Sequence, residues 1–125
     1  ANEDEFDLVS FERAERRERN PDMILQNDAI DLVIDAGVDL GDVLQAGDLE
    51  RIASSSRQGA PARRRAVIDA APVAVNRIAR HLKRHSGARD VADAFRARPD
   101  LAKSDKKGEG SDLVRAYLLI DAALA

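Results

Sequence analysis

Apolar residues recur along this chain at three- and four-residue spacing, and no stretch alternates cleanly between apolar and polar positions. The first pattern belongs to a helix with one buried side; the second would mark a strand. Helix punctuation cuts the pattern into short pieces. A first helix is expected over residues 5–19, with Asn2 and Glu5 placed as a capping box and Phe6, Leu8, Val9 and Phe11 as its apolar start. Its second half pairs Glu12 with Arg16 and Glu15 with Arg19 at i,i+4, so that end should project into solvent. Asn20-Pro21 is a strong start for a second helix that runs to about Ala36 and stops at Gly37. On it Met23, Ile30 and Ile34 share one direction and Leu25, Leu32 and Val33 cover most of the rest. Only Asp28, Asp31 and Asp35 form a polar stripe, and a helix apolar on nearly all sides is predicted to be the central one.

Asp39 and Asp48 read as N-caps of two short helices, 40–46 and 49–58, separated by Gly47 and ended by Gly59. Pro61 opens a helix to about Ala70. Pro72 cannot donate to a helical ladder, so it begins a new helix, 72–85, with Val75, Ile78, Ala79 and Leu82 as the buried face. Residues 88–98 follow, with Ala88, Val91, Ala92 and Phe95 on one side and Pro99 closing them. Residues 100–111 are polar with two glycines and read as a mobile loop. Ser111 then caps a last helix, 112–124, lined by Leu113, Tyr117, Ile120 and Leu124. The fold class is all-α: a compact irregular (orthogonal) bundle of about six or seven short helices with no sheet. It is read as a single domain over 1–125, with 1–20 a charged N-terminal helix or arm; no heptad pattern or internal repeat persists.

Composition narrows the chemistry. At 125 residues and 13.6 kDa the chain is one ordinary domain. The absence of cysteine excludes disulfides, thiolate metal sites and cysteine nucleophiles. No apolar run approaches the roughly 18 residues of a membrane span, and the acidic N-terminus lacks a signal-peptide core. The expectation is a cytoplasmic protein with no membrane partner. Sixteen arginines against four lysines, with abundant alanine, hint at a bacterial source. Met23 is the only methionine, so the chain is expected to have lost its first residue or more, or to be cut from something longer.

Charge is distributed unevenly. The net −3 conceals a segment, 22–50, with eight acids and no base, followed by 51–98 with three acids and twelve bases. Such asymmetry bears on partners rather than on fold. Arg77, Arg80 and Arg84 stand at i, i+3, i+7 opposite the apolar side of their helix, and Asp28, Asp31 and Asp35 repeat that spacing on theirs. In one reading the two stripes face each other or are simply solvated. In the other, Arg77, Arg80 and Arg84 join Arg63, Arg64, Arg65, Lys83 and Arg89 in one external basic face for an acidic partner protein. Nucleic acid is the alternative partner through phosphate contacts, although the acidic pI of 5.4 and the lack of aromatics between 51 and 94 count against it. Two copies could also meet through their opposite charges, giving a homo-oligomer.

Candidate catalytic chemistry is thin. His81 and His85 sit at i,i+4, a spacing that can place two imidazoles on one metal, but Lys83 and Arg84 lie between them and no third ligand is indicated. The Asp28/Asp31/Asp35 stripe lacks the alternating acids and central glycine of a calcium loop. Ser54-Ser55-Ser56 has no nucleophile-elbow glycines, and Lys106-Lys107-Gly108 lacks the spacing of a phosphate loop. The sequence therefore points to a non-catalytic interaction or regulatory module, with no cofactor and no catalytic residue assigned.

Overall fold

The computed structural model describes residues 20–102 and 109–125, and the expected helix over 5–19 lies outside them. The described residues are all helical: α1 (Pro21–Asp35), α2 (Ala46–Ser56), α3 (Ala60–Ala70), α4 (Pro72–Arg84), α5 (Ser86–Arg96), a 3₁₀ turn (Pro99–Ala102) and α6 (Glu109–Leu124). No strand occurs among them.

Local chemistry explains most boundaries. The Met23 amide donates to Asn20 Oδ1 at 2.8 Å, with Pro21 in the first turn, so α1 starts where an orphan N–H finds an acceptor. It ends in a Schellman arrangement: the Gly37 amide donates to the Ile34 carbonyl and Val38 to that of Val33. Gly37 takes φ +88°, which a side chain would resist. Pro72 separates α3 from α4 as expected, with Ala71 leaving helical geometry at φ −143°, ψ 62°.

The chain departs from expectation between Gly37 and Gln45. The helix expected over 40–46 does not form, and residues 40–45 are non-helical. The Asp39 carboxylate instead accepts from the Gly41 amide two residues on, an Asx turn that competes with helix initiation. Leu44 completes the turn at φ +51° and is buried. The Arg115 Nε donates 2.9 Å to its carbonyl, fastening the loop to α6. Asp48 is not an N-cap either: α2 begins earlier, at Ala46, and Asp48 accepts from the Gln45 amide as the return half of a capping box. Of the residues read as a loop over 100–111, Leu101 and Ala102 are buried in the 3₁₀ turn, and 109–111 already belong to α6. Gln26 Nε2 donates to the Leu101 carbonyl at 2.9 Å, holding that turn on α1.

The central helix is α6, not α1. It packs against α1, α3, α4, α5 and the 3₁₀ turn, whereas α2 reaches the bundle through α3. Ala116, Leu119, Ile120 and Ala122 are buried there, alongside Ile78 and Leu82 of α4 and Phe95 of α5. Phe95 meets Tyr117 edge-on, centroids 5.8 Å apart, a favoured aromatic geometry. On α1 only Ala29, Leu32 and Val33 are buried, while Met23 and Ile24 are exposed and Ile34 is 56% exposed. Apolar coverage all round therefore did not make α1 central; one stripe of it faces the core and another faces out.

This assignment has a direct thermodynamic signature. Leu119→Ala should destabilise by about 2–5 kcal/mol, the range for a fully buried leucine, whereas Ile34→Ala should stay within about 0.5 kcal/mol. Chemical denaturation of both variants checks it; equal losses would restore α1 to the centre.

Candidate functional site

Asp121 is the one buried charged residue among those described, at 2% exposure in the last turn of α6. Burying a lone carboxylate is costly, and three guanidinium groups answer it. Arg63 Nη2 and Arg64 Nε reach Oδ2 at 2.8 and 3.2 Å, and Arg96 Nε reaches Oδ1 at 2.9 Å. Adjacent residues of α3 and the last residue of α5 thereby converge on one side chain of α6. Burial by itself would raise the Asp121 pKa; the hydrogen bonds and charges of Arg63 and Arg64 outweigh it and hold the carboxyl below its ordinary value. Arg63 Nε is buried without an acceptor, so that guanidinium is oriented by its terminal nitrogen.

This cluster divides the expected basic face. Arg63 and Arg64 are turned inward to Asp121 and are not part of a free surface, because a buried carboxylate draws the nearest cations. Arg96, which the charge map did not single out, completes the set. Arg89 is exposed on α5 and reaches Asp93 at 3.4 Å, one turn along the same helix. Arg65 and Lys83 are exposed and have no ion-pair partner among the described residues.

Arg77, Arg80 and Arg84 do come together. They line a concavity of about 360 Å³ with Asp35, Ala36, His81 and His85, formed where α4 passes the end of α1. Burial of Val75, Ile78 and Leu82 on the opposite side of α4 turns the three arginines outward. Arg77 Nη1 donates 2.8 Å to the Gly37 carbonyl, which seats it against the C-terminus of α1, where a cation is favoured. Arg80 and Arg84 make no ion pair among the described residues. The two stripes do not pair face to face: Asp35 lines the concavity without a salt bridge, and Asp28 and Asp31 are exposed and lie outside it. The His81 and His85 rings approach to 4.4 Å between centroids. No group of three or more histidines, cysteines or carboxylates placed to hold a metal occurs among the described residues. None of their helices is long and apolar enough to cross a membrane.

No protein-family model, curated protein or solved structure matches the chain. Function is therefore read from two arginine groups, one turned to Asp121 and one facing outward.

Asp121→Ala removes the anion and leaves three cations facing one another, at an expected cost of about 3 kcal/mol. In a domain of this size the melting temperature should fall by roughly 10–20 °C. The wild-type contribution has a definite pH dependence. A carboxyl held below its unfolded pKa stabilises fully above that value, and the contribution is lost as pH falls through the folded value. Thermal melts from pH 6 downward should show a loss of stability on entering the ordinary carboxylate range, with a visibly shallower acid limb in Asp121→Asn. An unchanged acid limb would remove the cluster from the stability account.

Proposed function

We propose that the chain is a non-catalytic helical interaction module that binds an acidic segment of a partner protein through Arg77, Arg80 and Arg84. The observation that supports this reading is the presence of three outward guanidinium groups in one concavity, while Arg63 and Arg64 are turned to Asp121. Guanidinium groups bind carboxylates through parallel N–H donors. At 1.5 Å rise per helical residue, positions 77, 80 and 84 span roughly 10 Å along α4. That span matches two or three carboxylates on a short acidic stretch. The tether from Arg77 to the Gly37 carbonyl fixes one end of the row in advance and reduces the ordering cost of binding. Lys83 extends the cationic surface beside it, and the exposed Asp35 at the rim disfavours a ligand that would cover the whole concavity with negative charge.

The nucleic-acid alternative uses the same three arginines. It now has fewer cations to draw on, since Arg63, Arg64 and Arg96 are engaged with Asp121, and no phenylalanine, tyrosine or tryptophan lines the concavity.

An acidic probe peptide of ten glutamates, titrated into the full chain at low salt, should bind. The triple variant Arg77→Glu, Arg80→Glu, Arg84→Glu should keep its melting temperature within a few degrees and lose about three- to a hundredfold in affinity, at roughly 0.2–1 kcal/mol for each exposed pair. Retained affinity in a folded triple variant removes the assignment. A protein that ignores the peptide but shifts duplex DNA, with log affinity falling against log salt at about 0.9 per phosphate contact, belongs to the alternative.

A further inference from the structure

A second surface lies on the other side of the Gly37–Val43 turn, and its character is opposite. Ile30 and Ile34 of α1 form one wall of an open groove of about 490 Å³, with Val38 and Leu40 beneath and Asp39 and Asp112 at the edge. A neighbouring depression shares Gly37, Val38 and Asp39 with it and continues past Val43 to Val73 and Ala74, with Asp42 at its margin. Ile34 is 56% exposed and Val73 63%. Large aliphatic side chains left this open, in a band rimmed by polar groups, are the signature of an interaction surface.

The rim specifies the occupant. Asp39 and Asp42 line it and have no ion-pair partner among the described residues. Asp112 has a long contact, 3.7 Å, with Arg115. Of the nearby cations, Arg115 donates to the Leu44 carbonyl, and Arg77, which also lines the second depression, is drawn toward the Gly37 carbonyl and the cationic concavity. We propose that this groove docks a cationic amphipathic helix of a partner protein. Its aliphatic side chains at i, i+3/i+4 and i+7 would lie against Ile30, Ile34 and Val38, and lysine or arginine on its flanks would meet Asp39 and Asp42. The described residues offer no strand edge for an extended peptide, and an aliphatic groove along α1 fits the helix-in-groove mode of recognition. A second copy of this chain fits less well. Its own cationic row on α4 is interleaved with histidine and flanked by lysine, and carries no exposed aliphatic side chain within its concavity to enter the groove.

The test uses the ¹⁵N-labelled full chain and an 18-residue probe peptide of leucine and lysine with leucine at helical spacing. Amide shifts should concentrate at Ile30, Ile34, Val38–Leu40 and Asp112, and Ile34→Ser, which alters an exposed position, should weaken binding about tenfold without lowering the melting temperature. A scrambled peptide of the same composition that binds equally well would show attraction by charge alone and overturn the proposal. So would shifts centred elsewhere, or concentration-dependent dimerisation of the chain abolished by Ile34→Ser. Because the glutamate probe reports on Arg77, Arg80 and Arg84, failure of either site is visible independently of the other.

Discussion

A single carboxylate buried in the central helix organises this molecule. Asp121 cannot stay ionised in an apolar interior without donors, and the donors it takes come from two other helices. That requirement fixes how α3 and the end of α5 sit on α6. It also decides which of the chain's many arginines remain outside. A buried ion cluster of this kind adds less to net stability than its contacts suggest, since desolvation offsets much of the attraction. Its larger consequence is positional: the cationic segment is split into an inward group and an outward row.

The outward row and the apolar groove flank the same short turn. Gly37, in the left-handed region, lets α1 stop abruptly, and its carbonyl anchors Arg77. One turn thus sets the cationic concavity on one side and the aspartate-rimmed aliphatic groove on the other. Their opposite charge keeps the two from competing for one ligand, and the turn itself is held by Arg115 and the buried Leu44 rather than by regular structure.

Much of the helical plan was legible in the sequence, because helix starts and stops depend on side chains within a few residues. Asn20-Pro21, Gly37 and Pro72 each mark a boundary through local hydrogen bonding or ring geometry. The buried faces of α4 and α5 followed from spacing for the same reason. The misreading at 40–46 was also local: an aspartate can cap a helix or close an Asx turn, and the pattern does not distinguish them. What spacing could not reveal was long-range. Asp121 lies 58 and 57 residues from Arg63 and Arg64, and nothing near either end names the other. The available signal was a lone acid inside the apolar run Leu118-Leu119-Ile120-Asp121-Ala122-Ala123-Leu124, a placement that requires a partner somewhere. Likewise the apolar circumference of α1 pointed to a core position, because periodicity cannot tell a face covered by the bundle from one left exposed.

The division of the arginines is open to one direct measurement. Nuclear magnetic resonance of the guanidinium groups reports, residue by residue, how freely each rotates about its Nε–Cζ bond and how fast its protons exchange with water. Arg63, Arg64 and Arg96 should rotate slowly and exchange slowly, while Arg80 and Arg84 should behave like free arginine in solution. Six arginines, Arg77 included, indistinguishable by either property would contradict the partition on which the two surfaces depend.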